Sequence, residues 1–512
     1  MHAKRFAHFL ALALLCLTLS GCTTDGIPIT DSTPTVTLPP AEVSFVAPIG
    51  DAALEYIADA TLYLPSHDGI SLTTVETEVA YSPVRPAAET LVRALLSHAG
   101  TKEATSLGGD VRLSLYGTSP VEVSRDTVTV NLNASALQLS REQLFLTCQA
   151  IANTLTELEQ IHYVNILVVD KPVGLNIANT LPMGALKHST AKDLGAVYKQ
   201  LLSRRVESTD SSEEQPFSSD VTLYFPLNGT EGLVSEVRSL SFENQLLPDM
   251  VIAILRELAA GPQNEEILSP SLPLLADLLS ATPVLISSEE AGCNILSLEF
   301  AHNLEDMLEA YGITKKQSLA SICCTMATFL PNVGGIQVTI GGQPVEDFLL
   351  SETESSTGTF YLRSVFSSML LDYCTLYFAN QTEEALVSTR RPVPYSQATS
   401  PRTLMCELSK GPQVYDTVPG LVPVMTGNFI SDTDMLGFSL TDGTLLANLS
   451  PSFFNHDYEM TANQERLLAY SIVNTLCYDL HIKSICFFES GTQFEGFTGT
   501  IYWAGLFYPL PE

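Results

Sequence analysis

The sequence predicts an α+β protein built from three tandem copies of one unit. Each copy runs strand, strand, helix, strand, strand, helix, strand, as a mixed sheet with two helices packed on it. Three observations carry this expectation. A Thr-Leu-Tyr strand recurs at Thr61-Leu62-Tyr63, Thr222-Leu223-Tyr224 and Thr375-Leu376-Tyr377, at spacings of 161 and 153 residues. An amphipathic helix ending on glycine follows each one. A second apolar helix then carries a threonine (Thr154, Thr325, Thr475), and a closing strand begins 10, 11 and 10 residues later. At 512 residues the chain is also longer than one core organises, so several compact units are expected.

The elements follow in order. The opening strands read Ala60–Pro65, Val221–Pro226 and Cys374–Phe378, each followed by an alternating strand at Leu72–Tyr81, Leu233–Phe242 and Leu386–Tyr395. In the middle copy Leu247, Val251, Ile254 and Leu258 form one helical stripe. That helix stops at Gly261-Pro262, and its counterpart stops at Gly411-Pro412. The first copy has Ala99-Gly100 with no proline. Glycine accepts the positive φ that closes a helix, and the proline cannot extend it. The next strand pairs are Val111–Tyr116 with Thr127–Leu132, Thr282–Ser287 with Asn294–Phe300, and Met435–Leu440 with Thr444–Leu449. The last pair has Asp442-Gly443 as a tight turn. Leu144, Cys148, Ile151 and Leu155, like Leu468, Ile472 and Leu476, mark the second helix. Val164–Val169, Ile336–Ile340 and Ile485–Phe488 are the closing strands.

The N-terminus reads as an export signal. Lys4 and Arg5 precede the apolar run Phe9–Leu19, which is short for a membrane span, and Leu19-Ser20-Gly21-Cys22 resembles the bacterial lipobox. Cys22 is the expected lipidation site, which places the chain on the extracytoplasmic face of the cell membrane, held by its lipid. The expected organisation is a signal at 1–21, a Pro/Thr-rich tether at 22–58 and domains at 59–175, 218–346 and 370–490. Linkers fill 176–217, with a short basic helix, and 347–369, and an aromatic tail covers 491–512.

The Thr-Leu-Tyr-Phe-Pro strand, the helix ending in Gly-Pro and the Asn-Thr-Leu of the second helix (Asn153–Leu155, Asn474–Leu476) together resemble the GerMN domain of sporulation and spore-germination lipoproteins. The resemblance spans all three blocks. The middle one has Cys324-Thr325-Met326 in place of Asn-Thr-Leu, and the third has Ala379 where the proline belongs. It implies a cell-envelope protein that works by association rather than catalysis, with envelope or sporulation proteins as partners.

Composition and motifs bear on chemistry independently. The 57 acidic against 25 basic residues give a net charge of -32, which disfavours nucleic acid and anionic lipid surfaces as ligands. The nine histidines form no metal-ligand spacing, no nucleophile elbow or phosphate loop occurs, and no cofactor is expected. Asp432-x-Asp434-x-x-Gly437 starts like a calcium loop but has Leu436 and Gly443 where oxygen ligands belong. Most of the cysteines beyond Cys22 fall in apolar runs and read as buried free thiols, with a bridge at Cys374 or Cys293 as the alternative. Lys187, Lys192, Lys199, Arg204 and Arg205 form a basic run that could face an anionic partner. The alternative function is a module binding peptidoglycan or another envelope polymer. Exposed aromatics grouped on one face of the third domain or the tail (Phe494, Phe497, Tyr502, Trp503, Phe507, Tyr508) would favour it.

Replacement of the expected lipid-bearing residue, Cys22→Ala, should release the protein from membranes or leave its signal uncleaved. Fractionation and mass analysis decide this; a normally processed variant still extracted only by detergent would contradict the anchor.

Overall fold

The computed structural model describes residues 26–29, 45–51, 54–83, 85–176, 179–190, 194–195, 216–263, 268–273, 279–289, 291–345, 360–425, 430–454, 460–478, 482–494, 496–497 and 501–511. They fall into two compact units, one drawn from 54–374 with 392–400, the other from 1–53 with 375–391 and 401–512. The first unit contains the first two repeats, and the second contains most of the third. The first element, strand β1 (Ile27–Pro28), belongs to the second unit.

Repeat 1 comprises β2 (Tyr56–Pro65), β3 (Leu72–Tyr81), α1 (Ala87–Ser97), β4 (Val121–Ser124), β5 (Thr127–Leu132), α2 (Arg141–Leu155), β6 (Tyr163–Val168) and β7 (Lys171–Pro172). Repeat 2 has β8 (Phe217–Pro226), β9 (Leu233–Phe242), α3 (Leu247–Ala260), β10 (Val284–Ser288), β11 (Cys293–Phe300), α4 (Leu304–Ala310), α5 (Lys315–Phe329), β12 (Val333–Ile340) and β13 (Gln343–Pro344), and β14 (Tyr361–Leu362) pairs with β12. Repeat 3 has β15 (Leu371–Ala379), β16 (Ala385–Pro394), α6 (Pro401–Ser409), β17 (Met435–Thr441), β18 (Thr444–Leu449), α7 (Pro451–Phe454), α8 (Ala462–Tyr478), β19 (Ser484–Glu489) and β20 (Thr492–Gln493). The α+β class and the element order therefore recur three times.

The sheet arrangement differs from the single mixed sheet expected. The first two strands of repeats 1 and 2 form separate antiparallel ribbons, β2-β3 and β8-β9, and in repeat 3 β1 joins as β1-β16-β15. The remaining strands make a second sheet in the order β4-β5-β6-β7, β10-β11-β12-β13 or β17-β18-β19-β20. Its middle pair is parallel, as a crossover through the second helix requires, and its outer pairs are antiparallel.

The second helix is what separates the ribbon from the sheet. Every residue from Leu144 to Leu155 of α2 is buried, polar ones included, so this helix is enclosed on all sides rather than carrying one apolar stripe. Its threonine reaches the free edge of the ribbon. The Tyr63 N–H donates to Thr154 Oγ1 at 3.0 Å, Tyr224 N–H to Thr325 Oγ1 at 3.2 Å and Tyr377 N–H to Thr475 Oγ1 at 3.1 Å. One turn earlier, Ser321 and Ser471 donate to the carbonyls of the same tyrosines, Tyr224 and Tyr377; Ala150 occupies that place in repeat 1. Helix side chains thus satisfy backbone groups that a third ribbon strand would otherwise have paired.

Three further expectations are corrected. The partner of β5 is β4 at Val121–Ser124, not Val111–Tyr116. The earlier run attaches only to the end of β5, through Tyr116 N–H to Asn131 O and Asn133 N–H to Ser114 O, both 2.9 Å. The proposed tether is partly structured: Ile27 and Pro28 pair with β16, and Gly50 N–H donates to Leu436 O at 2.8 Å on β17. The aromatic tail is mostly core. Trp503 and Phe507 are buried, Trp503 Nε1 donates to Glu465 at 3.0 Å, and Phe507 bridges Ile485.

The Asp442-Gly443 turn has φ of 51° and 79°, as a two-residue hairpin with both central residues at positive φ requires. Gly261 ends α3 at φ 84° and ψ 178°. This is not the left-handed helical region expected but an extended region open almost only to glycine. A Cβ there would stand 3.0 Å from Pro270 Cγ. Gly261→Val should therefore cost about 1–3 kcal/mol, read as a lower urea midpoint at unchanged slope; an unchanged midpoint would show that the position tolerates a side chain.

Candidate functional site

The glycine that ends the first helix also receives a buried arginine in two repeats. Arg238 Nη2 donates to Gly261 O at 2.5 Å, Nε to Glu236 at 2.8 Å and Nη1 to Glu257 at 2.9 Å, with its guanidinium 5.2 Å from the Phe225 ring centre. Arg391 repeats the pattern with Gly411 O at 2.6 Å, Asp416 at 2.7 Å, Glu407 at 3.3 Å and Phe378 at 5.5 Å. The shared sequence is Glu-Leu-x-x-Gly-Pro, at Glu257–Pro262 and Glu407–Pro412. Repeat 1 keeps the glycine, Gly100, but not the arginine or the glutamate: Leu96 stands in the glutamate position, and Thr77, opposite Ala60, stands where Arg238 faces Val221.

Along the helix of that repeat, a cleft of about 850 Å³ opens between the C-terminal half of α1, the end of β3 and residues 106–115. Arg85, Arg93, His98 and Arg112 line it, with Asp110 as the acid among the lining residues. Glu89 holds Arg93 at 2.7 Å and Arg85 at 3.7 Å, which orients two guanidinium groups on one side. His98 Nδ1 accepts the Gly100 N–H at 3.1 Å, leaving Nε2 for an outside partner. Thr90, 6% exposed, lines the same cleft, and its hydroxyl has no hydrogen-bond partner among the described residues. In so acidic a chain, this concentration of arginines is suited to carboxylate or phosphate groups.

The basic run read from sequence is placed differently. Lys187 pairs with Asp220 at 2.9 Å and lies 5.3 Å from the Tyr163 ring centre, so its charge is engaged within the fold. Lys192, Lys199, Arg204 and Arg205 lie outside the described residues, as does Cys22. Asp434 accepts hydrogen bonds from Ser431, Ser450 and Ser452. Burial alone raises its pKa, but these bonds more than offset that and hold it at about 2. Its oxygens cap the turn before β17.

The cysteines beyond Cys22 are free thiols, and all are buried except the half-buried Cys293 and Cys406. Burial pushes Cys148, Cys324 and Cys477 up to about 12, which suppresses the nucleophilic thiolate. Sequence reasoning missed the ion pair of Arg363 with Glu122 at 2.5 Å, both nearly inaccessible, with Arg363 Nε also donating to Thr328 at 2.9 Å. Burial disfavours the Arg363 charge, yet the nearby Glu122 carboxylate outweighs it and raises the pKa above the ordinary arginine value. Neither this pair nor the cleft arginines form a local sequence pattern. The arginine set at the helix end did leave a signal, the repeated Glu-Leu-x-x-Gly-Pro.

The fold and these sites define a tandem-repeat α+β protein whose shared polar residues hold its elements together. Residues 61–174 and 375–493, which span the first and third repeats, match the family described as Germane: Sporulation and spore germination. The middle repeat falls between the two matched stretches. Among solved structures the chain is similar to the tandem GerMN domains of the sporulation protein GerM from Bacillus subtilis, at 17% identity, covering 56% of this chain and 92% of that one, with a TM-score of 0.21. The first GerMN domain of the same protein matches at 19% identity, covering 27% and 93%, with a TM-score of 0.19. A putative lipoprotein from Clostridium perfringens matches at 22% identity, covering 22% and 74%, with a TM-score of 0.15. No curated protein matches.

Proposed function

We propose that the chain is a lipid-anchored protein of the extracytoplasmic face that acts in sporulation or germination by association, without catalysis of its own. One observation carries this reading. The polar residues common to the repeats are committed inside the fold, while among the described residues the arginine-lined cleft is found in repeat 1. A partner is therefore met by a surface particular to one repeat. The cleft also supports the second reading, a module for an envelope polymer, because acidic saccharides and phosphodiesters carry the groups that three arginines accommodate.

A photo-crosslinking residue at position 112 in sporulating cells tests both. A discrete protein adduct that is lost in an Arg85→Ser, Arg93→Ser double variant is the expected result. A polydisperse adduct collapsed by muramidase would favour the polymer. Turnover of an envelope substrate by the purified chain would contradict association as its sole activity.

A further inference from the structure

The three repeats treat one equivalent strand edge in different ways. β4, β10 and β17 each end the second sheet of their repeat and pair on one side only. An unpaired edge exposes backbone donors and acceptors to any extended chain, and proteins ordinarily blunt it with charge, proline or cover.

Two of the three edges are covered. β4 is buried at all of its residues; Ser124 Oγ accepts the Ser235 N–H at 3.0 Å and donates to Leu371 O at 3.0 Å, while Ser235 Oγ donates to Ser124 O at 2.6 Å. β17 is met by the segment 45–51, where Gly50 N–H donates to Leu436 O at 2.8 Å and Phe438 N–H to Asp51 Oδ1 at 3.1 Å.

Among the described residues the third edge is open. Val284 is 50% exposed, Leu285 40% and Ile286 43%, and because successive strand residues face opposite ways, both faces of β10 are uncovered. No described residue pairs with its outer edge. Positions 279–288 carry no charge in a chain of net charge -32, and Pro283 stands before the strand rather than within it. Neither charge nor proline within the strand, nor cover from a described residue, protects it.

We propose that β10 pairs antiparallel with β10 of a second copy of this chain, joining the two second sheets of the middle repeats across a two-fold axis. The inference rests on the association reading above and names one partner. An antiparallel strand pair about a two-fold is self-complementary, so the edge itself supplies its own partner. The segment is uncharged and aliphatic on both faces, so it is spared the like-charge repulsion that any other meeting of two such acidic surfaces would incur. A five-residue strand buries less than the roughly 1,200 Å² typical of a stable interface, so the dimer should be weak in dilute solution.

Sedimentation equilibrium of the purified full chain, with and without Leu285→Lys, tests this. The parent should show reversible dimers that tighten several-fold as salt rises, because salt screens the repulsion and leaves the apolar strand contact. An ionic interface would weaken instead. Leu285→Lys, at an exposed position, should keep the parent's urea midpoint and remain monomeric. The proposal is overturned if the parent stays monomeric at several hundred micromolar in high salt, or if the lysine variant dimerises equally. A monomeric parent that still yields the position-112 adduct in cells would remove the second copy as partner and leave association itself standing.

Discussion

The fold depends on how an enclosed helix satisfies the free edge of a two-stranded ribbon. A ribbon alone is marginal, and its inward edge presents backbone groups that cannot reach water once a helix lies against them. In each repeat a threonine hydroxyl of the second helix accepts the N–H of the ribbon tyrosine. In repeats 2 and 3 a serine one turn earlier donates to the same tyrosine's carbonyl. The helix can then pack on the ribbon with one face and on the four-stranded sheet with the other without stranding a polar group. This is why polar residues occur on a helix buried all round, and why the ribbon and the sheet stay separate.

Above that shared frame the repeats diverge in the polar groups they do not need in common. Repeats 2 and 3 close the end of the first helix with Arg238 or Arg391, paired to acids and stacked on a phenylalanine. Such a set is internally dependent, because removing one partner leaves a buried charge, at a cost of about 3–5 kcal/mol. Repeat 1 has neither its arginine nor its helix glutamate, and its cleft runs along the same helix. The Germane match to repeats 1 and 3 shows that the family pattern does not require the arginine set, since only repeat 3 has it.

The legible part of this architecture was the part repeated in one local pattern. Thr-Leu-Tyr and the helix threonine stand out because both ends of one hydrogen bond are kept in all three copies. Gly261 and Asp442-Gly443 were readable because a positive φ restricts residue choice. The alternation at 111–116 misled because Leu113 and Leu115 look like a strand face, while the true strand has only Val121 to Ser124 and includes the charged Glu122, whose partner is Arg363. Arg238 lies 23 residues from Gly261 and Arg391 lies 20 from Gly411, so their convergence belongs to tertiary structure. The cleft arginines are scattered singly, and the exposure of β10 depends on what fails to cover it, which no local pattern records.

The hydrogen bond that closes the ribbon edge is tested most directly at Thr475, by comparing Thr475→Val with Thr475→Ser in the full chain. Valine keeps the volume but removes the acceptor, leaving the Tyr377 N–H buried without its partner, whereas serine retains the hydroxyl. The account predicts a loss of about 1–3 kcal/mol and faster hydrogen exchange at the Tyr377 amide for valine, with most of both restored by serine. A valine variant with unchanged urea midpoint and unchanged Tyr377 protection would contradict it.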